Sequence, residues 1–193
     1  MPRHFGPICS VAAALALATT GCAPNAPLPL GDLGLPADAP RSCVEDSGMV
    51  VETPSAFAGW REGGFGRYTE LAAPSGGVVR IFVGDGTSDA KAIRARSILR
   101  WFLEDVAGSA YGSDKSAVMD SMASNDAVLM LPGGAHEPGD EPPFDAQPLF
   151  NDEITLEGSA WYLESDWDHR DASFEEIFHL LHDTGIGLSL IHI

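Results

Sequence analysis

The chain has 193 residues, with 28 Asp and Glu against 11 Lys and Arg, a formal net charge of −17. That balance excludes a nucleic-acid binder, whose phosphate contacts need a basic footprint, and it argues equally against anionic lipid headgroups. It suits an acidic surface facing outward, where salt screens the self-repulsion.

Arg3 and His4 precede an uncharged, largely apolar run from Ile8 to Ala18. The run is too short to cross a bilayer and has the length of a signal-peptide core. It leads into Leu17-Ala18-Thr19-Thr20-Gly21-Cys22, which resembles a bacterial lipobox with Thr19 where a Leu is usual. The resemblance implies export, with Cys22 as the lipidated residue and the cell envelope as the location. Cleavage after Ala23, giving a secreted chain, stays open. Removing this leader (1–22) takes away Arg3 and shifts the net charge from −17 to −18. Residues 23–45 are rich in Pro, Ala and Gly and read as a tether holding a domain off the membrane. Cys43 is then the only thiol besides Cys22. It either pairs with a cysteine beyond the present C-terminus or stays unpaired and buried.

Residues 46–187 suffice for one acidic domain with a single core, and no internal repeat is visible. Phe65 to Ala72 and Gly77 to Val83 read as strands parted by the turn-rich Pro74-Ser75-Gly76-Gly77. Ser88 to Val106 is the longest expected helix, with Ala95, Ile98, Leu99, Phe102 and Val106 inward and Gly108 stopping it. A shorter helix from Ser113 turns Val118 and Met122 inward, and Ala127 to Leu131 reads as a buried strand. Pro132 to Gln147 is a long Gly/Pro/acid loop. Leu149 to Leu156 and Ser159 to Leu163 alternate around Glu157-Gly158, which predicts a hairpin. The fold class is therefore α+β, a mixed sheet with a backing helix and a C-terminal amphipathic helix.

That last helix is the most informative stretch. Ser173 and Glu176 form an S-x-x-E capping box, and Gly185 stands where a helix-ending glycine belongs. Phe174, Ile177, Phe178 and Leu181 share one face, while Glu175, Glu176, His179, His182 and Asp183 share the opposite arc. No Lys or Arg interrupts that polar arc. Carboxylates and imidazoles serve as metal ligands or proton carriers as readily as solvated groups. His136 and His169 lie nearby in the sequence. The plain alternative is a capped helix whose acidic first turn complements the macrodipole.

Glu175-Glu176-Ile177-Phe178-His179 resembles the H-E-x-x-H signature of zincin metallopeptidases, with Glu175 at the first His position. The strand, helix, strand, edge-strand, strand, helix order of residues 77–185 is similar to the zincin layout. The resemblance implies zinc held by Glu175 and His179, one turn apart, with Glu176 as general base and a further ligand from His182, Asp183 or beyond. It implies a metal-dependent hydrolase of peptide or protein substrates at the cell surface. The competing expectation is a non-catalytic surface lipoprotein using the same acidic face for structure or binding.

Other motifs point to less. Gly84-Asp85-Gly86-Thr87-Ser88-Asp89 resembles the magnesium motif of haloacid-dehalogenase-type phosphatases, but that family's D-x-D nucleophile motif is missing. A glycine turn capped by Thr87 or Ser88 explains it better. Trp161, Tyr162 and Trp167 read as packing residues before cleft residues. No G-x-S-x-G is present, and Cys43 has no local His, so nucleophilic Ser or Cys catalysis has no support. Leu188 to Ile193 reads like the translation of a transposon end used in sequencing libraries. The natural chain is thus expected to depart from this one at about Gly187, leaving the domain truncated.

Overall fold

The computed structural model describes residues 49–110, 112–135, 143–159 and 171–187. Cys22, Cys43, His136, His169, Trp161, Tyr162, Trp167 and 188–193 lie outside them. The described residues form a mixed α+β fold around a five-stranded sheet in sequential order. Strands β1 (Val51–Glu52), β2 (Arg67–Ala72) and β3 (Val78–Val83) are antiparallel neighbours. Strands β4 (Val128–Leu131) and β5 (Gln147–Pro148) then add in parallel. Helix α1 (Ala58–Glu62) sits between β1 and β2, and α2 (Asp89–Leu103) and α3 (Ser116–Ser124) cross from β3 to β4. Helix α4 (Ser173–Leu181) continues into a five-residue π turn, His182–Ile186.

The sheet is covered on both faces, which is why β4 reads as an unbroken apolar run and β3 as one interrupted only by Arg80, a buried residue paired with Asp126. On one face Leu71, Val79, Ile81, Leu129 and Leu131 meet Ala95 and Leu99 of α2, Met122 of α3 and Ile177 of α4. On the other, Tyr68, Phe82 and Met130 meet Phe57, Trp60 and Phe144. Trp60 is stacked at 3.9 Å on both Phe82 and Phe144. Neither α1 nor β1 was anticipated from the sequence, although they deliver Trp60 to this second core.

Several expected elements shift. Helix α2 ends at Leu103, so Val106 is exposed rather than inward. Helix α3 begins at Ser116, three residues after Ser113. The strand expected over Leu149 to Leu156 is absent. β5 ends at Pro148, and Asn151–Glu153 coils into a 3-10 turn. Glu153 closes that turn by accepting a hydrogen bond from the Phe150 amide at 3.0 Å. Leu149, Phe150 and Ile154 are all buried, with a turn's spacing rather than a strand's alternation. Gly158 does form a turn, with φ +79°. The partner strand falls almost wholly outside the described residues.

The expected capping box is also replaced. Ser173 is the first helical residue, preceded by Ala172, and the Asp171 carboxylate accepts from the Ser173 amide at 3.0 Å. Gly185 does not end the helix. It lies inside the π turn because Val118 and Met122 of α3 press on it, where an added Cβ would stand 2.9 Å from each.

Candidate functional site

Helix α4 lies between α2 and the β5 edge, and an ion pair on one side and an amide contact on the other help to hold it there. Arg94 of α2 meets Asp171 at 2.5 Å, and the Asp171 side chain is only 8% exposed. Burial pushes the Asp171 carboxyl up, but hydrogen bonds from Ser173 and Arg94 outweigh it and hold the pKa below 3.8. At the other edge Gln147 Nε2 donates to Glu176 Oε2 at 2.9 Å. The same carboxylate oxygen lies 3.4 Å from His179 Nδ1, with Glu176 17% exposed. His182 Nδ1 is turned instead toward its neighbour Asp183, at 2.9 Å.

The five residues expected on the polar arc therefore do not converge. Glu176 and His179 face one another, His182 and Asp183 form a separate pair, and Glu175 is exposed at the start of the helix. Among the described residues no three His, Cys, Asp or Glu side chains are placed to hold one metal ion. The described donor set does not amount to a zinc site, which needs three or four protein ligands. Asp183 does border a cleft of about 340 Å³, shared with Asp126, Asp145, Gln147 and Thr184 at the sheet edge.

The Gly84 to Asp89 turn is a structural clasp. Arg67 of β2 donates to the carbonyls of Gly84 and Thr87 and pairs with Asp89. Ser88 caps α2 through the Lys91 amide. Gly86 packs backbone to backbone against Gly133, where an added Cβ would meet the Gly133 oxygen at 2.3 Å.

A different feature of α4 dominates the surface. Phe174 and Phe178, expected to share one face with Ile177 and Leu181, are each 46% exposed, and Trp101 of α2 is 60% exposed. The buried stripe of α4 is instead Ser173, Ile177, Leu180 and Leu181. Phe102 joins the outward rings: its centroid lies 5.2 Å from Trp101, 6.0 Å from Phe174 and 5.9 Å from Phe178. Trp101 also meets Phe174 edge-on at 6.0 Å, and His182 follows Phe178 at 6.3 Å. The result is a continuous aromatic face across α2 and α4. The sequence carries one sign of it: Trp101 falls off the Ala95, Ile98, Leu99 stripe of α2.

No family model, curated protein or solved structure matches this chain. The α2/α4 geometry therefore stands alone as the basis for a functional reading.

Proposed function

We propose that this chain is a non-catalytic binding domain, carried outside the cytoplasm on a lipid anchor at Cys22, that docks an apolar polypeptide segment on its α2/α4 aromatic face. The observation carrying this reading is the linked exposure of Trp101, Phe174 and Phe178. Together these rings leave roughly 300 Å² of aromatic surface in water, given the ~150–250 Å² that each offers. A patch of that size is at the scale of the largest apolar patch on a typical monomer, which is often functional. Covering it is worth about 7 kcal/mol gross, before the cost of ordering the partner. Aromatic faces accept extended chains, and proline-rich ones in particular, because such chains lose little entropy on binding.

The test is site-specific photocrosslinking in cells producing the full chain. A benzoylphenylalanine replaces Trp101 or, as a control, Glu62, which is exposed on the opposite side of the sheet. The expected result is a polypeptide adduct from position 101 and none from position 62. Equal adducts from both, or none from 101, contradict the reading.

A second reading, a zincin-like zinc-dependent hydrolase of peptides, draws support from the Glu176 and His179 contact one turn along α4. It requires further ligands from outside the described residues. It predicts about one zinc per chain, lost in Glu175→Ala or His179→Ala and kept in Glu176→Gln. Purified chain without zinc at saturating supply removes this reading.

A further inference from the structure

A second feature lies apart from the aromatic face: a cavity of about 360 Å³ beside the β2–β3 turn, none of whose lining residues belongs to α2 or α4. We infer that this cavity binds a small zwitterion of the α-amino-acid class, with the ligand carboxylate on Arg80 and the ligand ammonium group on Asp126.

Local structure sets the walls. The turn between β2 and β3 is closed by the Ala73 amide, which donates to the Gly77 carbonyl at 2.8 Å. The Ser75 amide donates to Asp120 Oδ1 at 2.8 Å and ties this turn to α3. Gly77 lies close against the end of that helix, where an added Cβ would stand 2.8 Å from the Cβ of Ala123. Ser75, Gly77 and Val78 thus form one wall, and Ala123, Ser124 and Asp126 form the other. Arg80 of β3 supplies the cation. Its side chain is only 5% exposed, whereas that of Asp126 is 57% exposed.

The charged groups lining the cavity are therefore one cation and one anion. Arg80 Nη1 donates to Asp126 Oδ1 at 3.2 Å, longer than the ~2.7–2.9 Å of a tight charge-assisted bond. An ion pair with one partner this exposed is worth little, so another carboxylate can take its place. Arg80 itself is held from within. The Phe57 ring lies 5.7 Å from its guanidinium, and its cross-strand neighbour Glu70 is buried and accepts from the Tyr68 hydroxyl at 2.6 Å. The charge types of ligand then separate. An anion on Arg80 displaces Asp126 and leaves two carboxylates side by side, in a chain already at −17. A cation on Asp126 lies beside Arg80. A zwitterion extends the pair into an alternating row, with every charge next to its opposite. An α-amino acid carries both charged groups on one carbon, which suits two protein groups this close together. Ser75 and Ser124 add hydroxyls, and Val78 and Ala123 give the ligand side chain a small apolar wall. The volume falls at the lower end of the ~300–1,000 Å³ of small-molecule sites.

The experiment is isothermal titration of the purified full chain with the proteinogenic L-amino acids, one at a time, and with the N-acetyl and amide derivatives of each. At least one amino acid with a small apolar side chain is expected to bind with a Kd of about 1 mM or tighter. N-acetylation removes the ligand's cation and amidation its anion, and each is expected to weaken binding about tenfold or more. Asp126→Asn is expected to weaken binding of the free amino acid about tenfold. Asn accepts the φ of +52° at this position, and the side chain is exposed, so the fold is retained. Ser124→Phe, at an exposed position, puts a ring in the cavity without touching the ion pair. It is expected to abolish binding while the Tm of the free chain stays unchanged. No binding of any amino acid at about 10 mM overturns the inference. So does a derivative that binds as tightly as its parent, or full affinity in either variant. Arg80 and Asp126 are then a purely structural pair. No outcome here bears on the α2/α4 face, which shares no residue with this cavity.

Discussion

Asp171→Asn tests how the docking face is held together. The Asp171 carboxylate joins the start of α4 to Arg94 of α2, with side chains 8% and 20% exposed. Breaking a fully buried ion pair costs ~3–5 kcal/mol and an exposed one under ~1 kcal/mol. This pair lies between those limits, so the expected loss is about 2 kcal/mol. Asn keeps an oxygen for the Ser173 amide, so the helix start survives, whereas Asp171→Ala loses a further ~1 kcal/mol with the cap. The pH dependence follows from the depressed pKa, below 3.8 in the folded protein. A carboxyl depressed on folding contributes its full stabilisation above the unfolded pKa and loses it as the pH falls through the folded one. The gap between wild type and Asp171→Asn is therefore expected to be largest at pH 7 and to shrink as the pH drops below 3.8. Urea unfolding at pH 7 and at about pH 3 measures both numbers. A loss under ~0.5 kcal/mol at pH 7, or a gap of the same size at both pH values, refutes the assignment.

Two tryptophans are expected to behave oppositely. Trp60→Ala, at a fully buried ring, costs ~3–5 kcal/mol in denaturant, while Trp101→Ala, at a ring 60% exposed, costs under ~1.5 kcal/mol. Equal losses contradict a docking role for Trp101. Gly86→Ala drives a Cβ into the Gly133 backbone and is expected to lower stability by about 3 kcal/mol, visible as a drop in Tm. Burial, reinforced by Glu70, pushes the Tyr68 phenol well above 10.0. Stability from this group is present below pH 10 and declines above it, so Tyr68→Phe is expected to hold its stability better than wild type at about pH 11. Phenolate absorbance of the native chain checks the same group directly: ionisation of Tyr68 near pH 10 contradicts it.

The parts of the fold legible in the sequence are those with strong local patterns. Strands β3 and β4 are buried on both faces and so appear as apolar runs, interrupted in β3 only by Arg80, and α2 announces itself by Ser88 and the Ala95, Ile98, Leu99 spacing. Strands β1 and β5 have two residues each, too few for any alternation to show. The 3-10 turn at Asn151–Glu153 was concealed because Leu149 to Leu156 alternates well enough to pass for a strand. On α4 periodicity located the apolar arc but not which part of it another element covers. Packing between α2 and α3 turned Ile177, Leu180 and Leu181 inward and left Phe174 and Phe178 in water. The polar arc was legible as composition only. Gln147, which engages Glu176, lies 29 residues away, and no local motif records that contact.

The account's central claim is that the α2/α4 aromatic face, open to solvent at Trp101, is a docking surface. Fluorine NMR of the chain from Ala23 onward, labelled with 5-fluorotryptophan, reads this at one atom. Trp101→Phe identifies the resonance, and exchange of water for heavy water reports its contact with solvent. The account predicts an open-indole solvent shift for Trp101 in the free chain, well separated from that of the buried Trp60. A Trp101 shift close to that of Trp60 contradicts it.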